Sequence, residues 1–318
     1  MTLIAILLAM ATEGYWHPLS SYRVFSPLLS WRDVLLARSG RINWLDGSVG
    51  VLLTVAPAVI VIALLQYSLA GIGGGLMWLL MLSFSFLVLV ACVGDQRFGA
   101  HVRHYITAVS GGDIDAASED LGRISGRKFS VNSLRQLNRD FLGLLLIRLN
   151  ERVLAILFWF VVLGPMGAVL YRSVTQLHGS TMTETPVPDS DIGDGLQGDE
   201  FSDAAQRLKG IMDWLPARLT VLCYAMIGSF TDALRSWRDD PHRPDDNWVA
   251  ANDRLLRDAG IGALQLQDTY ADDRVDDSDE LDTELACEHV LAVHALSKRT
   301  LLAWVTILAL MTLVGWLG

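Results

Sequence analysis

Four apolar runs along this chain, residues 49–70, 76–93, 153–171 and 301–317, approach the length of a bilayer-spanning helix. A hydrocarbon core about 30 Å thick takes roughly 20 residues as helix. A fifth run, "IMDWLPARLTVLCYAMIGSF" (211–230), is long enough, but Asp213, Pro216 and Arg218 all fall in its first half. The opening "MTLIAILLAMATEGYWHP" has too few apolar residues before Glu13 for a full span, and its first basic residue is Arg23. It reads as a short, partly inserted helix and not as a signal peptide, whose positive leading region it lacks. Between the runs, Leu134, Leu137, Phe141 and Leu144 recur at helical spacing, which predicts an amphipathic helix feeding the run at 153. The pattern predicts an all-α polytopic transmembrane protein of about four to five spans, with amphipathic and re-entrant helices added.

Basic residues cluster before the first full run (Arg23, Arg32, Arg38, Arg41), after the second (Arg97 to Arg139) and before the last (Lys298, Arg299). Such loops stay cytoplasmic. The stretch "HGSTMTETPVPDSDIGDGLQGDEFSD" (178–203) is acidic with no Lys or Arg, as an exported loop would be. The organisation expected is a polytopic membrane domain over 1–231, with a cytoplasmic loop at 94–140 and an acidic loop at 178–206. A polar cytoplasmic section follows over 232–299, and a C-terminal transmembrane helix over 300–318. Simple alternation puts Glu151 and Asp213 at opposite mouths. If both line one site, 153–171 or 211–230 must be re-entrant or broken, with Pro165 and Pro216 the points where backbone bonds open.

Composition agrees with a bilayer protein: 52% of 318 residues are hydrophobic, 19% are charged, and mean hydropathy is +0.36. A net charge of −10 removes nucleic acid as a partner, since phosphate neutralisation needs a basic surface. Cys92, Cys223 and Cys287 are far apart and odd in number, which suggests neither a disulfide framework nor a zinc motif.

Several stretches carry a family likeness. "GPMGAVLYR" (164–172), "MDWLPARL" (212–219), "YAMIGSF" (224–230) and "NDRLLRDAGIGALQL" (252–266) resemble the AmpE family of bacterial inner-membrane proteins. That family is encoded beside a cell-wall amidase and associated with β-lactamase induction. AmpE is in turn similar to the cobinamide-phosphate synthases of the CobD/CbiB family, which join an aminopropanol phosphate to a corrinoid acid using ATP. "WHPLSSYR" (16–23) is similar to the His-Pro stretch near their start, and Pro-Ala-Arg-Leu-Thr at 216–220 is the clearest shared piece. Set against the synthases, the chain departs in its acids. Their Glu-Asn and following Asp fall on Ile147, Arg148 and Glu151, their Asn-Thr-Leu-Asp on Thr175, Gln176, Leu177 and His178, and their paired Asp on Lys209 and Gly210. Ligases that activate a carboxylate with ATP need acids to hold magnesium against phosphates, and that set is thinned here.

Other candidate chemistry is weak. "GIGGG" (71–75) lacks the Gly-Lys-Ser/Thr ending of a phosphate loop. His101 and His104 stand at i, i+3 without a third ligand, and the acidic run at 272–284 lacks the glycine of a calcium loop. No metal site and no cofactor are expected. What stands out is a ring of polar groups around the 153–171 and 211–230 runs: Asn150, Glu151, Arg152, Tyr171, Arg172, Asp213, Trp214 and Arg218. Arg152 and Arg172 would equally serve as headgroup anchors, whereas charge inside an apolar run marks a functional site. Arg218 is expected to share its site with Glu151 or with a ligand anion.

The resemblance implies a multi-pass protein of the bacterial inner membrane, a signalling or ligand-sensing protein of the AmpE type linked to β-lactamase induction and the cell-wall antibiotic response. Its partners would be the lipid bilayer and an anionic cell-wall-derived or nucleotide-like ligand held by the ring. This reading leans away from an enzyme without settling the question, and no residue is assigned a catalytic role. The alternative is a membrane enzyme of the cobinamide-phosphate synthase type, performing ATP-dependent amide ligation with a reduced acidic motif set.

Overall fold

The computed structural model describes residues 6, 30–31, 47–70, 75–93, 98–125, 133–183, 195–238, 247–270 and 281–313. Most of the expected N-terminal helix, most of the "GIGGG" turn, the centre of the acidic loop and most of the acidic run lie outside the described residues. Every described element is helical. Helices α1 (Ser48–Ala70) and α2 (Gly75–Val93) contain no charged residue. Leu52, Ile60, Val61 and Leu64 of α1 and Leu79, Leu80 and Leu87 of α2 are exposed, faces that suit lipid better than water. Pro57 inside α1 has no N–H to return to the carbonyl of Leu53, and the Trp31 indole approaches that carbonyl at 3.5 Å.

Helices α3 (Phe98–Ser110), α4 (Ile114–Ser125) and α5 (Leu134–Leu149) follow. The amphipathic helix expected from the leucine spacing is α5. Ser133 caps it, its hydroxyl accepting from Gln136 N at 3.3 Å, and Leu137 and Phe141 are fully buried. Tyr105 of α3 stacks on Phe141 with centroids 3.6 Å apart. Asn138 is the polar hub of this end: it accepts from Tyr105 Oη and donates to Tyr270 Oη and to the carbonyl of Ala286.

A single span over 153–171 does not form, and that expectation is corrected. The chain continues from α5 through a π-helical turn (Asn150–Leu154) into α6 (Ala155–Leu163), stops at Gly164, and restarts as α7 (Pro165–Thr183). Gly164 takes φ +72°, a conformation that L side chains avoid, and Pro165 then opens α7 with its ring already set for a first helical turn. Gln66 of α1 receives this end, its Oε1 accepting from Met166 N at 3.3 Å. At Gly167 a Cβ would lie 2.2 Å from the carbonyl oxygen of Trp159, so the absent side chain is what lets α7 fold back against α6. The pair is a hairpin broken at Gly-Pro. As one straight helix, Glu151 and Tyr171 would stand about 30 Å apart; here Glu151 bonds to Lys209 and Tyr171 to Asp213, one helical turn apart on α8.

Helix α8 (Gly195–Ile227) is continuous through Pro216. Helix α9 (Phe230–Arg238) turns the chain back, and α10 (Trp248–Ala263) then runs beside the second half of α8. Asn252 Nδ2 donates to Gly210 O at one end, and Ser229 N donates to Ala263 O at the other. The one-turn α11 (Gln267–Tyr270) leads on, and α12 (Thr283–Leu313) closes the described chain. By length and composition, Ser48–Leu69, Glu200–Ile227 and Thr283–Met311 suffice to cross a membrane, and Leu79–Val93 is a shorter apolar helix.

Candidate functional site

Where α5 gives way to α6, the π-helical turn widens the backbone by one residue, a feature that recurs at functional sites. It directs Asn150 and Glu151 inward toward α8, and both are buried. Lys209 of α8, 1% exposed, faces them. Its Nζ lies 2.7 Å from Glu151 Oε1 and 2.7 Å from Asp213 Oδ2, one helical turn further on. The remaining oxygens are also engaged: Glu151 Oε2 takes Arg148 Nη1 at 2.9 Å, and Asp213 Oδ1 takes the Tyr171 hydroxyl at 2.5 Å. Arg148 Nη2 donates onward to Ile124 O at 3.1 Å, tying the cluster to α4. A buried charge needs both a counter-charge and filled hydrogen-bond positions. The four segments meeting here supply both.

Around this core, Thr220 Oγ1 donates to Asn150 Oδ1 at 3.0 Å. The Asn150 amide nitrogen is buried without a protein acceptor, which leaves a fixed donor for a water or a ligand oxygen. Arg172 is buried and close enough to Glu151 to feel its charge. Asp253 of α10 completes the acids. Burial raises its carboxyl from 3.8 to about 7; Lys209 acts to lower it, while Glu151 and Asp213 add to the rise. A proton is therefore exchangeable there near neutrality.

The polar ring read from the sequence divides. Asn150, Glu151, Tyr171 and Asp213 come together, with Arg172 beside them, and Arg152 sits half-buried on the π-helical turn. Trp214 and Arg218 do not join: Arg218 lies 4.1 Å from the centre of the Trp214 ring and donates to Trp214 O and Asn252 Oδ1. Lys209 and Arg148, not Arg218, are the cations that reach Glu151. Lys209 was missed as a member of the ring because it sits on the polar flank of its run. Its i, i+4 spacing to Asp213 was the available signal. Among the described residues no group of three His, Cys, Asp or Glu is placed to hold a metal ion. The His104 ring of the "HVRHY" pair instead bonds to Asp120.

The family model described as "CobD/Cbib protein" matches residues 2–253, a stretch that includes the whole charged cluster. A cobalamin biosynthesis protein CobD from Chromobacterium violaceum is 28% identical over 269 residues, covering 82% of this chain and 78% of its own. One from Stutzerimonas stutzeri is 29% identical over 212 residues, 67% and 62% of the two chains. Protein AmpE of Shigella flexneri is 28% identical over 156 residues, 48% of this chain and 51% of its own. No solved structure matches. The expected AmpE-type role in β-lactamase induction is thereby corrected, because the family model and the relatives covering most of the chain are CobD proteins, while AmpE matches about half. With its charge-free apolar helices and a CobD match running through the buried ion cluster, the chain is a membrane protein that belongs to the CobD/CbiB family.

Proposed function

We propose that this protein works in cobalamin assembly as a multi-pass protein of the bacterial inner membrane, in an amide ligation of the cobinamide-phosphate synthase type. The observation that carries this reading is the family match over residues 2–253, which contains every residue of the buried cluster. In such chemistry an amine gives up a proton as it attacks an activated carboxyl, and a carboxylate that titrates near neutrality is suited to accept it. We assign that role to Asp253, at about 7. The free amide donor of Asn150 and the neighbouring Arg172 suit the anionic end of a phosphorylated or nucleotide-like ligand. The residues do not fit a magnesium ion held by the protein itself, since Lys209 occupies the space between the two acids that would hold it.

The test is complementation of a strain lacking cobinamide-phosphate synthase, on medium where growth needs newly made corrinoid. Growth is expected with the wild-type gene, and its loss with Asp253→Asn at normal membrane accumulation. A wild-type protein that accumulates normally yet restores no growth overturns the proposal.

A further inference from the structure

We infer that Lys209 is the resident cation of the buried centre, an ammonium that does within the chain the neutralising work for which paired carboxylates otherwise take up a divalent metal ion. Two buried acids from separate segments, Glu151 on the π-helical turn and Asp213 on α8, are drawn to a single positive point, and that point is Nζ, 2.7 Å from each. Two arrangements bring buried carboxylates together in this way: a metal ion taking oxygens from both, or an ammonium whose N–H groups diverge to both. Among the four ionised groups bonded directly to one another, the charges close without an added ion. Glu151 and Asp213 contribute two negatives, Lys209 and Arg148 two positives, and each remaining carboxylate oxygen already accepts from Arg148 or Tyr171. A metal entering here would have to displace a covalently tethered cation whose effective concentration never falls, so the centre stays assembled at any divalent ion level. Any metal ion used in turnover then arrives with the substrate rather than resident on these acids. The inference concerns assembly of the centre rather than the reaction, so it fails separately from the corrinoid reading.

The test uses the full chain in detergent, with Mn2+ as the probe and thermal unfolding and Mn2+ electron paramagnetic resonance as readouts. For the wild type, the midpoint is expected to be indifferent to EDTA and to millimolar Mn2+. Lys209→Ala is expected to lower the midpoint, and Mn2+ to restore much of the loss while binding at least roughly tenfold more tightly than to the wild type, because ligand charge left uncompensated raises cation affinity. Lys209→Arg, which keeps the charge, is expected to accumulate and to ignore Mn2+. An EDTA-reversible stabilisation of the wild type by Mn2+ overturns the inference, as does a Lys209→Ala midpoint that is unchanged and unresponsive. If Lys209→Ala does not accumulate, the double variant Glu151→Gln, Lys209→Met removes one charge of each sign; its accumulation without Mn2+ supports the inference and its failure overturns it.

Discussion

Trp159 and Pro216 are joined through one carbonyl. Pro216 has no N–H to give to the oxygen of Met212 four residues back, and the Trp159 indole donates to that oxygen at 3.2 Å. A proline that interrupts the ladder of α8 thus supplies the attachment point for the α6–α7 hairpin. Held there, the hairpin brings Glu151 and Tyr171 to Lys209 and Asp213.

Trp159→Phe keeps an aromatic ring but leaves the buried Met212 carbonyl without its donor, a loss of about 1–3 kcal/mol. Pro216→Ala returns a backbone N–H to the same oxygen. The double variant is therefore expected to be more stable than Trp159→Phe alone, a coupling visible in a double-mutant cycle of unfolding midpoints. Strict additivity would show that the carbonyl is not the link.

The hairpin's tight crossing predicts an asymmetry among glycines of one helix. Gly167→Ala places a Cβ 2.2 Å from Trp159 O, so backbone must move, and the cost expected for such overpacking is about 1–3 kcal/mol. Gly179→Ala on the same helix meets nothing within 4 Å and is expected to stabilise by up to about 1 kcal/mol through helix propensity. Thermal unfolding of the two variants in one detergent checks both signs.

Asp253 sets a pH dependence. Its carboxyl rises on folding from 3.8 to about 7, so the folded protein binds a proton over that window that the unfolded chain has released. Stability from this group is full below pH about 4, falls as pH rises toward 7, and is flat above it. Asp253→Asn is expected to flatten that slope and to raise the midpoint at pH about 8. A slope unchanged in the variant would place the titration elsewhere.

Because the chain turns back at Gly164, the loops on either side of the hairpin are expected on one face of the membrane, against the simple alternation of basic and acidic loops. In a background without Cys92, Cys223 and Cys287, cysteines at the exposed positions Glu119 and Gly179 should respond alike to an impermeant thiol reagent in intact cells. Opposite responses would mean that the chain crosses between them.

The sequence by itself determined what depends on local chemistry. An apolar run of bilayer length has no solvent for its backbone except itself, so α1, α2 and the C-terminal part of α12 follow from hydropathy. The spacing of Leu134, Leu137 and Phe141 sets which face of α5 is buried, because side chains three and four apart share a face. Charge within an apolar run marked Asp213, and charge at a run's mouth marked Glu151. Only the tertiary structure decided what those groups meet. Hydropathy carries no direction, so the run over 153–171 reads the same whether it crosses or doubles back, and the reversal depends on one positive φ at Gly164 and on the absent side chain of Gly167. Lys209 reads as solvated polar flank until α8 is packed on the π-helical turn, and Arg218 reads as an intramembrane charge until α10 brings Asn252 against it. Partnership between buried charges depends on distances of a few ångströms across segments dozens of residues apart, and those distances exist only once the helices have packed.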